Sequence, residues 1–247
     1  MLIPVEYKSC LNKHTKNVHI ITCDDQKDYV ITFFLPSHEK ALVNEWLGYC
    51  LARYLQLPVP SSSIVEVPND FYEAIPELRD LPYMKHHFAS LHIKDCLSDY
   101  STNLVDKITN SEQLAGIIVL DFWLSNPGRT QKKLLVKEWR NSEYKLWIID
   151  HAKSFGSASW KRSDLKTLPK DMNESYTHQL IASSTTKEWN LKEYLERIQS
   201  IPALLLDEIL SFVPEEWSLS KEEKKRNHQK TKTPQPLCTS RINRRLY

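Results

Sequence analysis

Short apolar and polar stretches alternate through the first third of the chain. VEYKS, VHIITC and DYVITFF are rich in β-branched and aromatic residues and are separated by polar turns such as DDQKD, so each is predicted as a strand. ALVNEWLGYCLARYLQL then places Leu42, Trp46, Tyr49, Leu51, Ala52 and Leu55 near helical spacing, which predicts a helix ending before Pro58. SSSIVEV returns to the strand pattern. Together these segments predict a small mixed lobe. SEQLAGIIVLDFWLSN is apolar on nearly every side, which predicts a core helix with Ser111 as its candidate N-terminal cap. LLVKEW and KLWIID flank the turn RNSEY and predict a β-hairpin. Further helices are expected around MNESYTHQLIAS, NLKEYLERIQS and IPALLLDEILSFV, with Pro202 and Pro214 as punctuation. From Lys221 onward apolar periodicity fades. The pattern divides the chain into a small lobe over 1–68, a helical lobe holding the hairpin over 69–220, and a basic, flexible tail over 221–247.

Composition narrows the possible chemistry. The chain has 247 residues, 41% hydrophobic and 26% charged, which is ordinary for a soluble globular protein. Only 4 residues are glycine, against roughly 17 at average usage. No GxGxxG, GxxxxGK or GxSxG is present, so the usual dinucleotide, Walker-type and nucleophile-elbow sites are excluded. Apolar runs are too short and interrupted to span a bilayer, and the N-terminus lacks a secretory pattern. The five cysteines are widely spread with no metal-ligand spacing, which implies reduced thiols and a cytoplasmic setting. The nine histidines form no HExxH, and the tryptophans fall mostly in apolar segments, as core residues do.

Charge is unevenly placed. The net charge is +2, but residues 221–247 carry nine Lys or Arg and two Glu, so that +7 in the tail leaves −5 on the rest. Such a tail could contact nucleic acid or an acidic partner electrostatically, or be a solvated end. Tyr247 is its only aromatic residue, so no base-stacking platform is present.

The order of elements is itself informative. A mixed β/α lobe, a helical region, a hairpin within it and an acidic residue at the hairpin's end is the order of a protein-kinase-like fold. Glu45 sits on the small-lobe helix, and Asp150 closes the hairpin in IIDHAKSFG. ALVNEWLGYCLARYLQLPVP, KHHFAS, VLDFWLSNPGR and LWIIDHAKSF together resemble the HipA-like kinases, well over about residues 25 to 160 and weakly beyond. The resemblance implies a two-lobed α+β kinase fold, ATP and magnesium as cofactors, and protein phosphorylation of the toxin–antitoxin or stress-response type.

Residue by residue, the resemblance holds for the scaffold and fails at the chemistry. Glu45, Asn126, Arg129 and Asp150 match. Thr32, in YVITF, stands where the family has its strand lysine. In NPGRTQKK, Gly128 stands at the catalytic aspartate of the family's N-x-D-R-H-x-x-N segment, Thr130 at its histidine and Lys133 at its metal-binding asparagine. FLPSHEKA, taken as the phosphate-covering loop, has no glycine. Losing a positioned base alone costs about 10²–10⁴-fold in rate. These losses imply a pseudokinase acting as a binding or regulatory module on a protein partner.

Alternatives follow from particular residues. Asp121 and Asn126 share a D-x-x-x-x-N spacing and could serve as displaced catalytic residues of an atypical ATP- and magnesium-dependent kinase. Yet Asp121 lies 29 positions before Asp150 and Gly128 lies 22 before it, and Asp121 sits within an apolar helix, which points to a structural pair. A scaffold that uses its basic tail is a third reading. Asp150 would hold magnesium if any residue does. Lys133 either pairs with Asp150 in the metal's place or points to solvent beside Lys132. With Thr32 opposite it, Glu45 is expected to pair with Lys40 or Arg53.

Overall fold

The computed structural model describes residues 1–11, 13–97, 104, 107–166, 177–178, 188–217, 219–220 and 222–223. Strands β1 (Pro4–Cys10), β2 (Val18–Cys23), β3 (Asp28–Thr32), β4 (Ser62–Glu66) and β5 (His86–Leu91) form one antiparallel sheet in the order β1-β2-β3-β5-β4. Along β3, Tyr29 and Ile31 turn into a core with Ile21, Val65, Tyr72 and Leu78. The alternate residues Val30 and Thr32 face an interlobe cavity. The sheet curls until Leu2, just before β1, bridges Val65 at the opposite edge, and Glu66 donates its N–H to the Leu2 carbonyl at 2.9 Å.

The lobe boundary at 68 is therefore a correction. β5 pairs with both β3 and β4, and the short helices α2 (Asn69–Ala74) and α3 (Pro76–Arg79) supply Tyr72 and Leu78 to the same core. The small lobe runs to at least Leu91. KHHFAS lies far along the chain from the strands it separates, so local pattern alone does not place it there.

Helix α1 (Ala41–Tyr54) joins the lobes and is buried on most of its circumference, including at Asn44 and Glu45. It stops before Pro58 is reached. Gln56 takes a left-handed φ of 59°, its N–H donates to the Arg53 carbonyl, and the N–H of buried Leu57 donates to the Ala52 carbonyl. That pairing is a Schellman ending with glutamine in place of the usual glycine.

Helix α4 (Leu114–Trp123) forms the centre of the large lobe and packs against the helix Glu188–Gln199. Ser111 makes no capping hydrogen bond, because a single 3-10 turn, Ser111–Gln113, precedes α4. The entry to the helix is instead anchored by Asn110, whose side chain both donates to and accepts from the Leu146 backbone at 3.0 Å. β6 (Leu134–Arg140) and β7 (Glu143–Ile148) form the expected hairpin, with positive φ at both Asn141 and Ser142. The helix Ala203–Ser211 lies beside α1, and the Trp46 indole donates to the Ile209 carbonyl at 3.0 Å.

The start of the expected tail belongs to the body. Ser220 and Glu223 exchange reciprocal side-chain-to-backbone hydrogen bonds, as in a capping box. The Glu223 carboxylate meets the buried Lys40 ammonium at 3.1 Å, and Lys40 lies over the Trp160 ring. The acidic residue in the first turn of the tail thus neutralises a lysine at the foot of α1. The remainder of the tail and most of MNESYTHQLIAS fall outside the described residues. Cys23, Cys50 and Cys96 are free thiols. Trp160 and Trp217 are fully buried, but Trp139 is half exposed and carries Lys145 over its ring. Among the described residues no helix is long and apolar enough to cross a membrane.

Candidate functional site

Below the cavity, α4 delivers Asp121 to a buried, fully engaged charge cluster. Arg129 donates to both carboxylate oxygens, Nε to Oδ2 at 2.8 Å and Nη2 to Oδ1 at 3.0 Å. His178 Nε2 lies 3.0 Å from Oδ2, and the Asn126 amide donates to Oδ1 at 3.0 Å. Asn126 Oδ1 in turn accepts the Gly128 backbone N–H at 3.0 Å. Burial alone would raise the Asp121 pKa, but the Arg129 charge and the His178 hydrogen bond hold it well below the usual carboxylate range. Arg129 also donates to the Ile149 carbonyl at 2.6 Å, which ties this cluster to the residue before Asp150. Asp121 and Asn126 are both fully buried and neither borders the cavity. Their side chains are spent on hydrogen bonds that shape the loop.

The loop after β7 is held from the other side by α1. Asp150 has a φ of 61°, a left-handed conformation that aspartate tolerates better than most residues, and its Oδ1 accepts the Ala152 N–H at 3.3 Å. Glu45 accepts the His151 N–H at 2.8 Å, while Lys40 is committed to Glu223. The expected pairing of Glu45 with Lys40 or Arg53 is thus replaced by a backbone partner. Burial, and then the Asp150 charge, push the Glu45 pKa up to about 8. Burial, reinforced by the Arg129 charge, pushes His151 down to about 3, so that ring is neutral.

Asn44 is a positioning residue that the sequence reading missed. Its amide nitrogen lies 2.7 Å, 2.9 Å and 3.0 Å from the carbonyls of Ala152, Ser154 and Ser157, and its oxygen accepts the Trp160 indole N–H. The available signal was a lone amide within an otherwise apolar helical stretch. Gly48, one turn further along α1, lets the helix approach this loop, since a Cβ there would stand 2.4 Å from the His151 Cβ. Gly48→Ala is therefore expected to cost about 1–3 kcal/mol through overpacking. Thermal melts of the variant and the parent check this, and an unchanged Tm would refute it.

Above these residues lies a cavity of about 700 Å³ between the lobes. Val30 and Thr32 form part of its roof, and Leu135, Ile148 and Asp150 part of its floor. Its size is ordinary for a small-molecule site. FLPSHEKA joins β3 to α1 and contributes Phe34, Leu35 and His38 to the wall. The strand-to-strand loop that borders the cavity is instead the β1–β2 connection, through Leu11, Thr15 and Asn17. That connection, LNKHTKN, has no glycine either.

The structure brings Lys133 and Gly128 together with Asp150. Lys133 Nζ lies 2.9 Å from Asp150 Oδ2, so of its two expected orientations the ion pair forms. The same ammonium stands 3.1 Å from where a Cβ on Gly128 would be, and the Lys153 side chain stands 3.0 Å from that point. Two lysines thus converge where an aspartate side chain would project. Thr32 lines the cavity without charge. The donor set does not fit magnesium. Asp150, the carboxylate on the cavity floor, already holds the Lys133 ammonium, which a divalent cation would have to displace.

A curled five-stranded sheet, a connecting helix and a helical lobe with an aspartate closing its hairpin define a kinase-like fold. The structure is similar to that of the Helicobacter pylori proinflammatory kinase CtkA, with a TM-score of 0.63 and 13% identity, covering 97% of this chain and 96% of that one. It is also similar to the Golgi casein kinase, with a TM-score of 0.51 and 11% identity over 98% and 72% of the two chains. At these identities the likeness is one of fold. The family model for the HipA-like kinases matches residues 8–241, and the chain belongs to that family. No curated protein matches it in sequence.

Proposed function

We propose that this HipA-like chain is a pseudokinase, a kinase scaffold that transfers no phosphate and acts as a binding or regulatory module on a protein partner. One observation carries the reading: the Lys133 ammonium is bonded to Asp150 at 2.9 Å and stands 3.1 Å from the Cβ position of Gly128. A cation therefore occupies the space between the carboxylate that closes the hairpin and the position where the family carries its base. An acceptor hydroxyl entering there would meet the Lys133 ammonium instead of a carboxylate base.

The competing reading, an atypical active kinase, needs Asp121 or Asn126 as a substitute. Asp121 has both oxygens engaged by Arg129, His178 and Asn126 and is closed off from the cavity. Radiolabel transfer from γ-labelled ATP tests the proposal. Wild type and Asp150→Ala are expected to give the same background label on themselves and on added protein substrates. Labelling by wild type that Asp150→Ala abolishes would refute it.

A further inference from the structure

The ion pair over Asp150 bears on what the cavity takes as a ligand. Its walls include Val18, Val30, Phe88, Leu91, Leu135 and Ile148, which suit a flat apolar body. At its floor Lys133 neutralises Asp150, and Lys153 reaches the same point beside Gly128. Among the described residues Lys153 pairs with no carboxylate, and its side chain is exposed to the cavity. Asp95, another acid on the wall, faces Lys137 at 3.6 Å. A strand cation is missing because Thr32 replaces it, so any anion must be held from below. A divalent cation seeking Asp150 would first have to displace Lys133 and then lie beside it.

We propose that this cavity binds a nucleoside triphosphate without a divalent cation, Lys133 standing between Asp150 and the phosphates where a metal would stand and Lys153 supplying a second ammonium. The inference rests on the kinase-derived reading of the site and adds that nucleotide binding outlived metal binding. Ammonium–phosphate hydrogen bonds are charge-assisted, and a lysine acts on phosphate as a point charge that does not need a metal's coordination geometry.

Calorimetric titration of the full chain with ATP, adenosine and tripolyphosphate, each in EDTA and in magnesium, tests this. The ATP Kd is expected to change less than about fivefold between EDTA and magnesium, with adenosine and tripolyphosphate each at least about tenfold weaker. Lys153→Ala is expected to weaken ATP by about fivefold or more in both buffers. Lys133→Asn, which removes the ammonium and restores a neutral oxygen donor, is expected to make ATP bind at least about tenfold tighter in magnesium than in EDTA. Three results would overturn the proposal: wild type binding ATP fivefold or more tighter with magnesium, tripolyphosphate matching ATP, or no ATP binding by protein with an intact thermal melt. Each of these, found without label transfer, leaves the pseudokinase reading standing. Label transfer is the separate result that removes that reading.

Discussion

Asp121→Asn is expected to destabilise the protein by about 3–5 kcal/mol, because it leaves the Arg129 guanidinium buried without its counter-charge. Asparagine keeps the shape of the side chain, so the loss reports charge and not packing. Arg129 is 1% exposed and Asp121 is fully buried, so water cannot take over the missing partner. Against a total stability of about 5–15 kcal/mol, such a loss removes a large part of the folding free energy. Urea denaturation measures it, and a change below about 1 kcal/mol would show that the cluster is not holding the loop. The sign of the pH dependence follows from the lowered pKa. Asp121 contributes its stability above the unfolded carboxylate pKa of about 4 and loses it only as pH falls through the still lower folded value. The cluster should therefore persist through neutral and mildly acidic buffers.

Glu45 should behave in the opposite way. Its folded pKa, near 8, lies above the unfolded value of about 4.3, so its contribution is full below that lower value and is lost as pH rises toward 8. Glu45→Gln keeps an oxygen to accept the His151 N–H and removes the titration. The expected result is a Tm difference, variant minus wild type, that grows steadily from pH 5 to pH 8.5. A difference that stays flat across the range would mean that Glu45 is ionised in the folded protein throughout.

The difference between these two carboxylates marks how far the sequence could be read. Strands and α1 were legible because runs of β-branched and aromatic residues between polar turns, or apolar positions at helical spacing, persist over enough residues to stand out. Lys133 facing Asp150 was legible as one of two options, because the positions flanking a hairpin are brought together by the hairpin itself. What Glu45 would bond to was not legible, since a backbone N–H 106 positions away leaves no mark in residue types. Asp121 with Asn126 read as a structural pair because Asp121 lies within an apolar helix. Yet their fixation by Arg129 and His178 depends on how the large lobe folds over α4. The place of β5 between β3 and β4 was hidden in the same way, because it enters the sheet beside β3 out of chain order.

The ties from the small lobe to residues 209–223 also set an order of events during synthesis. Lys40 finds its carboxylate at Glu223, the Trp46 indole its acceptor at Ile209, and the His86 backbone its partners at Glu216 and Trp217. All three are small-lobe groups made in roughly the first third of the chain, and all wait for residues more than 120 positions later. A ribosome that has delivered only the sheet and α1 has delivered a lobe with a lysine, an indole and a histidine still facing water. The contacts of the small lobe are thus completed by residues made long after it, and Lys40, Trp46 and His86 gain these partners only once the chain has been made through Glu223.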